Sequence, residues 1–262
     1  MALTQFRVTH YLALLSLVAA AAFAQVAPVT TTSVASYGPI VAPDSIGAAW
    51  GTTLSTTIAS ALGTTLPTTL GSTTVMITDS AGMTFSAPLF LVSPTQINFL
   101  VPAGVALGNA TLTVANPKAS YTGSLLVSNV APGIFTANGD AKGVPAAQVV
   151  RVSGGKLTYE TPYQAGGAVA YTTNPINLTS STDQVYLVLY GTGIRRHSLN
   201  PVVATINGVK VPVAYAGPQN QYPGLDQVNL GPLPTSLTGS GEVDLRLLVD
   251  GVPANTVRVA VR

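Results

Sequence analysis

The chain carries one short phrase twice, as Ser93-Pro94-Thr95-Gln96-Ile97-Asn98-Phe99 and as Gly224-Leu225-Asp226-Gln227-Val228-Asn229-Leu230. Each copy follows an apolar run and holds Gln-apolar-Asn. Each is followed closely by proline, at Pro102 in the first and at Pro232 and Pro234 in the second. A separation this long exceeds the roughly 20–50-residue period of a solenoid, so it implies two copies of one folding unit.

The units read as β. Apolar runs of four to eight residues are broken by Gly, Pro, Asn and Asp. In the first half they predict strands over 74–78, 88–92, 96–101, 110–115 and 124–128; in the second, over 185–190, 202–206, 209–215, 225–230, 242–249 and 256–261. Asn207-Gly208 and Asp250-Gly251 each sit between two such runs, the strongest short-range hairpin signal. Short strands at regular spacing suggest immunoglobulin-like sandwiches. The expected fold is all-β: a first sandwich over 45–131 and a second over 183–262, joined by a connecting arm over 132–182. The arm contains a hairpin, 147–152 and 156–160, around Ser153-Gly154-Gly155. Residues 25–44, rich in Thr, Val, Pro and Ala, form an extended lead-in with one edge strand.

Residues 1–24 have the plan of a cleaved export signal: Arg7 in the n-region, an apolar h-region from Tyr11 to Ala22, and the small-x-small site Ala22-Phe23-Ala24. That h-region is shorter than the ~20 residues of a membrane span, and no later run approaches that length. The expectation is an exported chain with no span after cleavage. No cysteine is available for a disulfide or a lipid, so core burial must hold the units together. Charged residues are 8% of the chain, against a usual ~25%. The nearly balanced charge excludes the basic face that nucleic-acid binding needs.

The ordered phrases Ser93-Pro94-Thr95-Gln96-Ile97-Asn98-Phe99, Val101-Pro102, Ala131-Pro132-Gly133-Ile134-Phe135-Thr136, Tyr190-Gly191-Thr192-Gly193-Ile194, Ile206-Asn207-Gly208-Val209 and Gln227-Val228-Asn229 resemble the Solibacter-type uncharacterised C-terminal domain family, over roughly Ser45 to Val261. The module is also similar to immunoglobulin-like IPT/TIG domains. The resemblance implies an exported bacterial protein built on paired β-sandwiches, and it implies no activity. One departure stands out: Trp50-Gly51-Thr52-Thr53-Leu54 lacks the second glycine of Tyr190-Gly191-Thr192-Gly193-Ile194, so the first copy is expected to diverge at that turn.

Catalytic inventories fail. Beyond the leader there is one histidine, His197, and no Gly-x-Ser-x-Gly elbow. Ser153-Gly154-Gly155-Lys156 fits Ser-x-x-Lys, and Ser198-Leu199-Asn200 fits Ser-x-Asn, but neither the helix nor the Lys-Thr-Gly strand of that chemistry follows. Gly191-Thr192-Gly193 lacks the third glycine and the helix of a dinucleotide cradle. Asp79 and Asn138-Gly139-Asp140 are loop carboxylates and amides, too sparse for the six to eight oxygens of calcium. Glu242 and Asp244 alternate on one strand face, the pattern of a solvated surface. No catalytic residue, metal or cofactor is expected.

Tyrosines are the remaining binding candidates, because their rings join apolar faces to polar tips. Tyr159, Tyr163 and Tyr171 cluster in the arm, while Tyr215 and Tyr222 flank the loop before the second Gln-Val-Asn. In the repeat, Gln96 and Asn98 share a strand face, as do Gln227 and Asn229. These amides are expected to bond neighbouring backbone as a structural motif. The leading expectation is an exported, non-catalytic binding or adhesion module whose partner is a polysaccharide, an envelope component or an exported protein. The alternative is a structural spacer or self-assembling surface subunit; an enzyme with an unrecognised site comes third.

Overall fold

The structure, a computed structural model, describes residues 28–168, 170–199 and 202–262. The expected export signal and Asn200 lie outside the described residues. Nearly all regular structure is strand, with one 3-10 turn at Thr235–Leu237.

Residues of the first half form two sheets. One runs in the order Thr30–Ser33, Ile46–Trp50, Gln96–Leu100, Leu89–Val92, Ala59–Ser60. The other runs Ile40–Val41, Ser120–Val127, Gly108–Ala115, Thr73–Thr78, Thr69–Leu70, with Thr84–Ser86 beside Thr73–Thr78. Between them lies a core that includes Val75, Ile77, Leu112, Val114 and Leu125, met from the other sheet by Ala49, Ile97 and Phe99. The alternation that buries Ile97 and Phe99 leaves Gln96 and Asn98 half-buried on the opposite face.

The second half repeats this plan around its own core. One sheet runs Lys156–Glu160, Ala147–Ser153, Gln184–Thr192, Asp226–Leu230, Val213–Pro218, with Gly133–Ile134 added beside Gln184–Thr192. The facing sheet runs Val209–Val211, Val203–Ile206, Gly241–Val249, Val252–Pro253, with Val257–Val261 against Gly241–Val249. The duplication extends to irregularities. Leu89 pairs with Phe99 and Leu91 with Asn98, leaving Phe90 as the extra residue of a bulge; Val213 pairs with Leu230 and Tyr215 with Asn229, leaving Ala214 in the same place. Pro88 and Pro212 each stand just before these bulged strands, where the chain passes from one sheet to the other. Their carbonyls accept the N–H of Leu100 and of Gly231, both at 2.8 Å. Proline, having no N–H, is suited to such a break between ladders.

Three expectations are corrected. Residues 25–44 supply two edge strands rather than one: Thr30–Ser33 pairs antiparallel with Ile46–Trp50, and Ile40–Val41 pairs parallel with Ser120–Val127. The connecting arm 132–182 is built into the second half, because its hairpin is hydrogen-bonded through Ala147–Ser153 to Gln184–Thr192. Ile134, Ala147, Val149, Ile176 and Leu178 are buried in the second core. The run 209–215 divides at Pro212 into strands of different sheets. The strand Ile46–Trp50 went unpredicted because Gly47, Ala48 and Ala49 are weak strand formers. Gly47 is required there: it lies opposite Phe99, and a Cβ would stand 2.6 Å from that ring.

Candidate ligand-binding groove

The small hairpin Tyr163–Ala165 with Tyr171–Thr173 brings two of the five tyrosines together, their rings edge-to-face with centroids 5.3 Å apart at 74°. Asn138 fixes the hairpin in position. The Tyr171 N–H donates to Asn138 Oδ1, and Asn138 Nδ2 donates to the Tyr171 carbonyl, both at 2.9 Å. Thr173 donates its hydroxyl to Glu242 Oε2 at 2.9 Å, tying the hairpin to the strand Gly241–Val249.

Strand alternation sets Glu242, Asp244 and Arg246 on one face of that strand, and Asp244 lies opposite Arg258 in the register. Glu242 Oε1 meets Arg258 Nη1 at 2.7 Å, Arg258 Nε lies 3.7 Å from Asp244 Oδ1, and Arg246 Nη2 lies 3.3 Å from Asp244 Oδ2. Two cations and two anions thus alternate along an exposed ladder.

This ladder forms the shared wall of two adjoining clefts. One, of about 230 Å³, is lined by Asn138, Asp140, Tyr171, Glu242 and Arg258 among others. The second, of about 390 Å³, is lined by Thr205, Asn207, Glu242, Asp244, Arg246 and Arg258 among others. The two clefts meet at Glu242 and Arg258, which line both, and Tyr171 lines the first. Their charged side chains are donors and acceptors already oriented by their neighbours, and the part-exposed carboxylates and guanidiniums can hydrogen-bond hydroxyl groups.

The other predicted residues lie elsewhere. Tyr159 is on the edge strand Lys156–Glu160, exposed. Tyr215, on the opposite edge, donates its hydroxyl to the Pro218 carbonyl at 2.6 Å, and Tyr222 is exposed in the following loop. Gln96 and Asn98 bond to each other, Nε2 to Oδ1 at 2.8 Å, and Gln227 and Asn229 do the same at 2.8 Å. The expected backbone partners are therefore replaced by a side-chain pair, conserved in geometry between the two copies. Sequence reasoning missed Arg246 and Arg258 as members of the groove; the two-residue spacing from Asp244 to Arg246 was the available signal.

The residues tested for chemistry have structural partners. The ring nitrogens of His197 face the carbonyls of Ser198 at 2.7 Å and Ala216 at 3.2 Å, and Ser198 donates its hydroxyl to Asp250 at 2.9 Å. Gly154 and Gly155, at φ +54° and +79°, make the turn between Ala147–Ser153 and Lys156–Glu160, both positive as a type I′ turn requires. Asp79 accepts the N–H groups of Ala81, Met83 and Ala106. Among the described residues no three His, Cys, Asp or Glu side chains converge on a metal-sized site, and no helix is long and apolar enough to cross a membrane.

No protein-family model matches the chain, and no curated protein matches it. Solved structures with a similar course of chain include the Bacteroides ovatus mixed-linkage glucan utilization locus protein SGBP-B in complex with a mixed-linkage heptasaccharide, at 13% identity and a TM-score of 0.33 over 86% of this chain and 43% of that one. The chain therefore spans less than half the length of that protein. Another is domains 5–6 of the S-layer protein SbsC, at 17% identity and a TM-score of 0.26 over 90% of this chain and 95% of that one.

Proposed function

We propose that this protein is an exported, non-catalytic β-sandwich binding module of the Solibacter-type family, with IPT/TIG-like units, and that its ligand is a hydroxyl-rich polymer such as a polysaccharide. The observation that carries the reading is the groove shared by Tyr171, Glu242 and Arg258. Polysaccharides are bound by stacking a sugar ring on an aromatic face while planar polar side chains take the hydroxyls. The two clefts adjoin at Glu242 and Arg258, which suits a chain laid across both. Its opposed charges balance, which suits a neutral or weakly charged one. The leader Arg7 to Ala24 supports export.

The test is retention of the purified full-length protein on a panel of insoluble polysaccharides, repeated with Tyr171→Ala and Arg258→Ala. Saturable retention by the wild type, weakened at least about tenfold in both variants, is expected from the loss of a stacked ring or a bidentate contact. Retention unaffected by either change, or absent from every matrix, overturns the reading.

A further inference from the structure

Among the described residues the strand Lys156–Glu160 is the outermost of its sheet, paired with Ala147–Ser153 alone, and every one of its residues is exposed. An edge of this kind presents a free row of backbone N–H and C=O groups to another strand. Natural edges are blunted by charged side chains, proline, bulges or a covering loop, and of these this strand carries only the charges Lys156 and Glu160. Here the pairing with Ala147–Ser153 is regular over five residue pairs, with no register shift.

The sequence of this edge is complementary to itself when reversed. Laid antiparallel on a second copy with Thr158 opposite Thr158, Lys156 faces Glu160, Leu157 faces Tyr159, and the two halves repeat by two-fold symmetry. Opposite charges, an aromatic against an aliphatic residue, and Thr against Thr are each favourable cross-strand pairs. A shift of two residues loses the Lys–Glu match at both ends. The faces are also consistent. Val150 is opposite both Tyr159 and Tyr186, and Val152 is opposite Leu157, so these five side chains share the outer face of the sheet. Leu157 is 57% exposed and Tyr159 is 61% exposed. Pairing would lay each over the other's apolar neighbours.

We propose that two copies of this protein associate through Lys156–Glu160, antiparallel about Thr158, joining their sheets into one continuous sheet. A contact of this symmetry is isologous and closes after two subunits, so the product is a dimer and not a fibre. The charges at Lys156 and Glu160 set its register, Glu160 meeting the partner copy's lysine with the carboxylate that Arg151 Nε already holds at 2.9 Å. It stands apart from the groove, and a failure of polysaccharide binding leaves it untouched.

The chain has no cysteine, so single cysteines report the pairing directly. Cα atoms of directly opposed antiparallel residues are about 4.5–5.5 Å apart, within the span of a disulfide. In the full-length protein, Thr158→Cys is expected to form a disulfide-linked dimer under mild oxidation, and Leu157→Cys alone to form it at least about tenfold more slowly, because its counterpart is displaced to the diagonal. Sedimentation of the wild type is expected to show a concentration-dependent monomer–dimer equilibrium. Lys156→Glu, which opposes two like-charged pairs, should weaken that equilibrium about tenfold. A wild type that stays monomeric at every concentration, equal cross-linking at 157 and 158, or dimerisation untouched by Lys156→Glu would each overturn the proposal.

Discussion

Thr53 and Gly193 hold equivalent turns at φ +58° and +74°, although the first is a β-branched residue in a region that costs such residues about 1–2 kcal/mol. The divergence expected at this turn is therefore one of sequence and not of backbone. Thr53 has local compensation, its hydroxyl lying 2.6 Å from the Tyr121 hydroxyl. Gly193 has no such freedom: a Cβ there would stand 2.2 Å from the Ala131 carbonyl oxygen, where the incoming chain crosses the strand. Gly193→Thr is expected to destabilise the protein by at least about 2 kcal/mol, while Thr53→Gly changes stability by no more than about 1 kcal/mol. Urea denaturation of both variants checks the asymmetry. Equal effects would mean that the crossing at Ala131 does not constrain the turn.

Thr192, between the two glycines, joins the halves of the molecule. Its hydroxyl accepts the N–H of Ile46 at 2.9 Å and donates to the Gly224 carbonyl at 2.7 Å, and the residue is fully buried. Thr192→Val keeps the volume and removes both bonds, leaving the half-buried Ile46 N–H and the buried Gly224 carbonyl unpaired. The expected cost is about 1–3 kcal/mol, with faster hydrogen exchange at the Ile46 amide than at Leu112, which lies deep in the first core. Exchange raised equally at both amides would indicate global loosening and no local joint.

Much of the β architecture was legible because its signals are local. The hairpin glycines, the alternation in Gln96–Leu100 and Asp226–Leu230, and the repeated Gln-apolar-Asn all act within a few residues. What escaped was non-local. The hairpin at 147–160 reads by itself as an isolated ribbon, and only its pairing with Gln184–Thr192 makes it part of a sandwich. Ile46–Trp50 pairs with Gln96–Leu100, where Gly47 leaves room for the Phe99 ring, a relation between residues 52 positions apart. The groove escaped for the same reason: Tyr171, Glu242 and Arg258 are assembled from three segments, and Tyr159, Tyr215 and Tyr222, alike in sequence character, fell on other surfaces.

Acid should act on the fold through carboxylates of opposite sense. Asp79 is held below the usual carboxylate range, chiefly by the Ala106 N–H, with Met83 and Ala81 assisting against burial. Asp250 is lowered in the same way by the Ser198 N–H and hydroxyl. A lowered group stabilises above its unfolded pKa of about 3.9 and loses that contribution as pH falls through the folded value. Asp226 is opposite: burial pushes it up, against the Ile194 N–H and Arg195, so its contribution is present at low pH and lost as pH rises. Between pH 6 and 3, Asp79→Asn should therefore flatten the fall in urea stability, and Asp226→Asn should steepen it. Parallel curves for both variants would contradict these assignments.

Asn255 tests whether the chain that enters the second half belongs to its core. The Asn255 Oδ1 accepts the Ile134 N–H at 2.8 Å, while Nδ2 donates to the carbonyls of Ile134 and Ala141, both at 3.0 Å. One side chain thus substitutes for a missing strand beside Gly133–Ile134, spanning more than 110 residues of sequence. Ile134 is fully buried in the second core, so its backbone groups have no water to turn to. Asn255→Ala should cost about 1–3 kcal/mol, and Asn255→Asp should cost a comparable amount, because a carboxylate cannot donate to the two carbonyls. Hydrogen exchange should accelerate at Ile134 and along Gln184–Thr192, its pairing strand, while Gln96–Leu100 in the first core stays protected. If instead 132–146 were a loosely attached connector, both substitutions would leave stability unchanged and exchange would rise at Ile134 alone.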